Sequence, residues 1–331
     1  MPPGTLAVAV VLLIVLATLL VPSSAAGATH VFYESYLLVN RGSEPYNLSG
    51  DYLVVDYPPS LPGQEILNVT VMVNGAVLGS EGYRVERNSD GAPSLRILAA
   101  PRALMPGEEL NITVLYSMRL DPARRPEWQP EVSDLDLGET RLWNYSNPLI
   151  QAFLEGFEDM EGEEYLYALL AWMDDNLVYG SRIPARHPWE VLEEGVGDCD
   201  DRSNLLITLL RARGVPAYLE IGMIVLQGYE SEGTAENGTL VYRLANVGPH
   251  GWVKAWVGGR WVPVDMTYYT RATGTPLDHI AYSAYNTTWL PIIVTGWVKS
   301  SDYVSEGSSI LAEAREKNLY IYMHIGVRKT G

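Results

Sequence analysis

The sequence predicts an α+β protein in which a helix bearing the only cysteine packs on an antiparallel sheet, with an antiparallel β-sandwich before it. Leucines recur at helical spacing directly after Cys199. Two alternating segments joined by Gly258-Gly259 are typical of a β-hairpin. Residues 30–120 form short alternating segments separated by Pro-Gly, Asn-Gly and Asp-Gly turns, which is the spacing of a small sandwich.

The cysteine lies where a helix is expected to begin. Gly195 and Gly197 end a short helical turn that starts at Pro188, and the apolar periodicity begins at Asp200. Gly214 marks the end of this second helix. Cys199 is therefore expected at or just before a helix N-terminus, where the macrodipole and unpaired N–H groups favour a thiolate and can hold an oxyanion.

The acidic neighbours of the cysteine have the opposite effect. Asp198, Asp200 and Asp201 should raise the pKa of the thiol unless they point away or pair with Arg202. A buried structural cysteine is the alternative interpretation, because free cysteine is among the most buried residue types.

A histidine and an aspartate follow on the two strands of the hairpin. A tight Gly258-Gly259 turn pairs Trp256 with Trp261 and places His250 diagonally across from Asp265 on one face. The valines of both strands then share the other face, which is expected to be the core side. A cysteine, a histidine and an aspartate on separate elements indicate a nucleophile, its base and an orienting carboxylate.

These motifs resemble the transglutaminase-like superfamily of papain-fold cysteine enzymes. The matching pieces are Gly-Asp-Cys-Asp-Asp with its helix, the run from Arg211 to Tyr218, the His250–Val257 segment and the run from Trp261 to Thr267. The resemblance implies that Cys199 is the nucleophile, His250 the general base and Asp265 the orienting carboxylate. Tyr179 and Trp189 are upstream candidates for the aromatic group that donates to the oxyanion in this family.

Two functions follow as hypotheses. The first is an exported cysteine enzyme that acts on amide or peptide bonds of proteins or peptides, surface proteins among them, through a thioester that passes to water or to an amine. The alternative is an inactive module of the same fold with a binding or structural role, which the acids beside Cys199 motivate.

The composition limits which classes of binding partner and cofactor are expected. The net charge is −17 and the isoelectric point is near 4.7, without a basic cluster, so nucleic acid is not expected as a partner. We expect no cofactor and no metal, because the acids around Cys199 lack the spacing of a calcium loop. One cysteine allows no intramolecular disulfide.

The N-terminus predicts export. The stretch from Leu6 to Val21 is apolar and uncharged, so residues 1–28 are expected to be a signal peptide or an N-terminal membrane anchor. The predicted location is the cell surface or the medium, with a single transmembrane helix if the segment is uncleaved. Sequons for N-glycosylation support a glycoprotein; they are Asn47, Asn68, Asn111, Asn144, Asn237 and Asn286.

The remaining chain divides into three parts. We expect the β-sandwich domain at 29–120, a linker at 121–147 and the transglutaminase-like domain at 148–331. Within the last part, helical patterning is clear around Leu166 to Leu177. The C-terminal part is expected to hold a helix from Ser305 to Lys317 and a strand from Leu319 to Val327.

Overall fold

A computed structural model describes residues 28–48, 50–121, 126, 128–266 and 291–330. Five α-helices occur in this part of the chain: α1 (Pro148–Leu154), α2 (Gly162–Asn176), α3 (Pro188–Glu194), α4 (Cys199–Ala212) and α5 (Tyr303–Glu316).

The first half of the chain forms nine strands. They are β1 (Ala28–Asn40), β2 (Tyr46–Asn47), β3 (Val54–Asp56), β4 (Gln64–Val73), β5 (Ala76–Val77), β6 (Tyr83–Arg87), β7 (Pro93–Ile97), β8 (Ala103–Leu104) and β9 (Glu109–Leu120). Strands β3, β7 and β6 form a small antiparallel sheet, whereas β1, β9, β4 and β5 belong to a larger one. Alternate residues of β9 are buried, as a strand with one face on a core requires.

The described residues of the second half contain five strands: β10 (Ala217–Ala235), β11 (Leu240–Val257), β12 (Arg260–Val264), β13 (Ile292–Val298) and β14 (Leu319–Lys329). The large sheet has the strand order β13-β10-β11-β14-β1-β9-β4-β5, and β12 pairs with β11 beside this path. The mixed α+β class expected from the sequence is confirmed.

The C-terminal strand joins the two halves of the chain. β14 pairs antiparallel with β1 from His30↔Lys329 to Asn40↔Leu319, and parallel with the first part of β11. The distal part of the β10–β11 hairpin therefore packs in the same apolar core as the N-terminal strands. Pairing between strands this far apart leaves no local pattern in the sequence.

A second core lies between the helices and the other end of the sheet. The leucines of α4 pack on Ala217, Leu219, Val253 and Ala255 of β10 and β11, and Leu166, Leu169, Leu170 and Met173 of α2 cover them. Each of these side chains is essentially inaccessible to solvent. The helix predicted around Leu166 and the apolar sheet face predicted from Val253 and Val264 are confirmed.

The segment expected as a linker packs closely against the second half. Trp128 stacks on Trp297 with ring centroids 3.9 Å apart, and Trp143 is fully buried. Asp136 forms a buried ion pair with Lys299 at 2.6 Å. Among the described residues of this segment, a short 3₁₀ turn (Asp134–Asp136) is the only regular secondary structure, so aromatic and charged contacts hold it in place.

Residues 1–27 of the predicted signal peptide or anchor and the sequon at Asn286 lie outside the described residues, whereas Ala28 already begins β1. In the part of the chain that the structure describes, no helix is both long and apolar enough to cross a membrane.

Candidate active site

The cysteine occupies the first turn of α4. The helix begins at Cys199, and its N-cap residue is Asp198, in an extended conformation. The backbone N–H of Asp198 donates to Oδ2 of Asp201 at 3.3 Å, which closes the first turn. The predicted position of Cys199 at a helix N-terminus is confirmed, so the residue lies in the turn whose first backbone N–H groups have no partner within the helix.

The first turn of α4 docks on the strand that carries the histidine. The Ser203 hydroxyl donates to the carbonyl of Gly251 at 3.3 Å, and a backbone hydrogen bond from Gly251 reaches the Cys199 thiol. A Cβ at position 251 would lie 3.3 Å from Cβ of Asp200, which is tighter than ordinary contact. The absence of a side chain at Gly251 therefore lets the sulfur approach the backbone next to His250.

The β11–β12 hairpin has the predicted register. Trp256 pairs with Trp261 and Val253 with Val264. Gly258 and Gly259 have φ of 60° and 80°, the left-handed conformation that a two-residue turn of this kind requires at both positions. The turn chemistry and the apolar pattern thus specify the same pairing.

His250 and Asp265 meet at the end of this hairpin. Nε2 of His250 lies 2.6 Å from Oδ2 of Asp265, and both residues are buried. A carboxylate only accepts hydrogen bonds, so Nε2 carries the hydrogen and Nδ1 is an acceptor in the neutral ring. That tautomer is the one that can take a proton from a thiol.

Two carboxylates face the sulfur. Oδ1 of Asp200 is 3.9 Å from Sγ, and the ligand atoms of Asp198, Cys199 and Asp200 all lie within 4.8 Å of one another. Burial and the charges of Asp200 and Asp198 raise the pKa of the Cys199 thiol well above its ordinary value. Burial also raises the pKa of Asp198 to about 9, with Asp200 as the next cause. The expected preference of the helix N-terminus for a thiolate is therefore outweighed in the resting structure.

Asp201 does pair with an arginine, but the partner is Arg186 and not Arg202. Asp201 pairs with Arg186 at 2.8 Å, and both side chains are buried. Arg202 instead donates to the carbonyls of Gly197 and Leu177, at 3.0 and 2.9 Å. Its guanidinium thus ties the loop before α4 to the end of α2 instead of pairing with Asp201.

We do not propose a metal site at the acidic residues beside the thiol. Asp198, Cys199 and Asp200 have a spacing that could surround a cation, which their positions in the sequence alone did not predict. They are consecutive residues, however, and hydrogen bonding between Asp198 and Asp200 occupies the pair. We expect them to act through their charge.

The two aromatic candidates lie in different surroundings. Tyr179 interacts electrostatically with Cys199, and burial raises its pKa. Trp189 stacks on His187 with ring centroids 4.5 Å apart. Of the two candidates, Tyr179 is thus the one that interacts electrostatically with the cysteine.

The sequence did not point to Tyr303. This residue begins α5, a hundred positions after the cysteine, and its hydroxyl donates to Oδ2 of Asp200 at 3.1 Å. No local motif marks it, because only the tertiary packing of α5 against α4 brings the two together. Gly251 could have been found from its place beside His250.

The fold and this site together define a class: an α+β domain in which a helix that begins with a cysteine docks on the strand that carries a histidine. Residues 151–266 match the model of the Transglutaminase-like superfamily. The chain therefore contains a transglutaminase-like domain, as the sequence motifs predicted.

A solved structure agrees with this assignment at the level of fold. A crystal structure from Cytophaga hutchinsonii, described as a "putative cysteine protease", is similar to this chain with a TM-score of 0.54 and 14% identity, covering 93% of this chain and 92% of that one. A structure from Parabacteroides distasonis ATCC 8503, described as a "putative protease", has a TM-score of 0.26 at 11% identity over 72% and 67% of the two chains, which is too low to support an argument. No curated protein matches the chain.

Proposed function

We propose that this protein is an exported cysteine enzyme that cleaves or transfers the acyl group of amide or peptide bonds through Cys199, His250 and Asp265. One observation carries the proposal. The buried His250–Asp265 pair, 2.6 Å apart, lies directly beside the backbone of Gly251, which contacts the Cys199 thiol. A structural histidine in a strand needs neither a buried carboxylate nor a nucleophile next to it.

The proposed reaction follows from these positions. Sγ of Cys199 attacks the carbonyl carbon while His250 takes the thiol proton, and the oxyanion forms at the N-terminus of α4. The C–N bond then breaks, the proton passes from His250 to the leaving amine, and a thioester remains on Cys199. Water or a second amine attacks the thioester, with His250 as base, and the thiol is restored. Asp265 keeps the imidazole in the required tautomer throughout.

Proteins or peptides are the proposed substrates. The similarity in fold to a structure described as a "putative cysteine protease" supports a peptide bond as the target. The acidic net charge of −17 supports basic substrates over acidic ones.

Export is part of the proposal. The apolar run from Leu6 to Val21 and the sequons support it, and Asn47, Asn68 and Asn237 are exposed. Cleavage near Ala26 to Ala28, or retention of the run as an anchor, would appear in the intact mass of the native protein. An unglycosylated protein that keeps residues 1–28 and is freely soluble would contradict export without affecting the enzyme assignment.

A non-catalytic module is the second candidate, and one observation favours it. The charges of Asp198 and Asp200 disfavour the thiolate that a cysteine nucleophile must become. A binding module would retain the fold and the buried His250–Asp265 pair without needing that ionisation.

A variant panel decides between the two. Casein peptides with and without a fluorescent primary amine report hydrolysis and transfer in one assay. We expect Cys199→Ala and His250→Gln to lose both, while His324→Gln retains them, because His324 contacts Tyr33 on the far part of the sheet. Equal turnover in wild type and Cys199→Ala would reject catalysis at this site.

A further inference from the structure

A buried row of hydrogen bonds leads from the helical core to the acid beside the nucleophile. Nε1 of Trp143 donates to Oδ1 of Asn204 at 3.1 Å, and Nδ2 of Asn204 donates to the Tyr303 hydroxyl at 2.6 Å. The Tyr303 hydroxyl in turn donates to Oδ2 of Asp200 at 3.1 Å. Trp143 and Asn204 are completely buried.

The direction of this row is fixed by chemistry. The indole N–H of Trp143 can only donate, so it must face the oxygen of the Asn204 amide, and the amide nitrogen must face Tyr303. The tyrosine hydroxyl has a single hydrogen. Since it accepts from Asn204, that hydrogen is directed to Asp200, which must accept it with Oδ2.

The other oxygen of Asp200 faces the nucleophile. Oδ1 is 3.9 Å from Sγ of Cys199, within the range of a hydrogen bond from a thiol. We propose that Tyr303 is a positioning residue that holds Asp200 against Cys199 and thereby keeps the nucleophile a neutral thiol in the resting protein. The inference rests on the proposed function, since it concerns the protonation of the nucleophile.

The other groups around Asp200 agree with this role. Burial and the adjacent Asp200 raise the pKa of Asp198 to about 9, and a hydrogen bond joins the two side chains. The cation of Arg202 is bound to backbone carbonyls. The charged and polar groups that face Asp200 or the thiol come from every element around them: Asp198 at the N-cap of α4, Asp201 and Arg202 on α4, Tyr303 on α5, Tyr179 before α3, Gly251 on β11 and Asp265 after β12.

A neutral resting thiol has a functional consequence. Oxidation and unspecific alkylation need the thiolate, so a protonated Cys199 is protected in an exposed or oxidising environment. The thiol proton would leave for His250 only when a bound carbonyl is in place to receive the sulfur.

The test is the pH dependence of Cys199 alkylation by iodoacetamide in the intact resting chain, which needs no turnover. We expect the wild-type midpoint to lie above that of a free cysteine, ~8.5. Asp200→Asn and Tyr303→Phe should each lower the midpoint, the first by about one pH unit, a tenfold change in thiolate fraction. Tyr165→Phe is the matched control, because it removes a buried tyrosine hydroxyl that bonds α4 at the carbonyl of Leu209.

Two results would overturn the proposal. One is a wild-type midpoint at or below that of free cysteine. The other is an unchanged midpoint in Asp200→Asn, which decides the matter even if Tyr303→Phe does not fold. An equal shift in Tyr165→Phe would reassign the effect to loosened packing and so reject the positioning role. Loss of the proposed function would appear separately, as full turnover in Cys199→Ala.

Discussion

At the scale of single residues, Asp265 decides which nitrogen of His250 carries a hydrogen. Its carboxylate is buried and accepts from Nε2 at 2.6 Å. An amide at this position can donate, which permits the opposite tautomer with the hydrogen on Nδ1, where it cannot receive the thiol proton. The orientation of the ring would remain while its basicity toward the sulfur is lost.

Asp265→Asn is therefore expected to reduce turnover by ~10⁴-fold, the size of effect seen when a triad aspartate is replaced in this way. The volume of the side chain is conserved, so the thermal midpoint should change little. Activity and thermal melting measured on the same preparation check this. Near-normal turnover with a normal melting curve would show that the carboxylate does not orient the base.

A second residue-scale prediction concerns pH and lies far from the site. Glu34 on β1 is 2% exposed, and the Tyr36 hydroxyl donates to it at 2.9 Å. Burial, assisted by the charge of Asp56, raises the pKa of Glu34 from 4.5 to about 8. The folded protein thus keeps a proton that the unfolded chain releases, so stability present at low pH is lost as pH rises through this interval.

Glu34→Gln cannot ionise and should remove this loss. Relative to the wild type, its free energy of unfolding should gain about 3 kcal/mol between pH 5 and pH 8, because one pKa unit corresponds to about 1.4 kcal/mol. Urea unfolding at both pH values measures the difference. If the free energies of unfolding of the two proteins differ by the same amount at both pH values, Glu34 is already ionised in the folded protein.

At the scale of elements, the β11–β12 hairpin sets the distance between base and carboxylate. Gly259 has φ of 80°, which costs a residue with a side chain ~1–2 kcal/mol. Gly259→Val is expected to destabilise the protein by this amount and to reduce turnover, since a slipped register moves Asp265 away from His250. Gly307→Ala is the control, because Gly307 lies inside α5 with open space around it.

In the control, the replacement should stabilise the helix by ~0.5–1 kcal/mol and leave turnover unchanged. Turnover and urea unfolding of the two variants are compared side by side. Destabilisation of Gly259→Val without loss of turnover would indicate that other contacts hold the pair.

Local elements were predictable from sequence where two signals agreed. For the hairpin, the Gly258-Gly259 turn and the valine pattern specify one register. For α4, glycine breaks and leucine spacing locate the N-terminus at Cys199. The ion pair of Asp201 with Arg186 and the contact of Tyr303 with Asp200 could not be predicted, because the packing of α4 against the loop before α3 and against α5 determines them.

At the scale of the whole molecule, one sheet runs through both halves of the chain. β14 lies between β1 and β11, so the last strand connects the N-terminal core with the hairpin that carries His250. The sequence predicted β14 and a strand-rich N-terminal region, but it held no information on their pairing. Strands separated by nearly the full chain length pair only once the rest of the core has assembled. The domain boundaries at 120 and 148 stay a prediction.

This continuity predicts coupled unfolding. Ile325→Ala removes a side chain that is 6% exposed in β14 and should cost ~2–5 kcal/mol. Protection of the β9 backbone amides from hydrogen exchange, which reports on the first half, and protection of Cys199 from alkylation, which reports on the second, should be lost together in urea, with one midpoint for both. Two separate midpoints would show that the halves unfold independently despite the shared sheet.

The central claim is that Cys199 forms an acyl intermediate, and trapping that intermediate tests it most directly. The protein is mixed with p-nitrophenyl acetate, quenched in acid within the first turnover and digested for mass spectrometry. We expect an acetyl group on the peptide that contains Cys199, together with a burst of p-nitrophenolate, because the thioester forms before it is resolved. His250→Gln should acylate far more slowly, since its amide side chain cannot take the thiol proton. Acetylation only of other residues, or an equal burst in Cys199→Ala, would contradict the account.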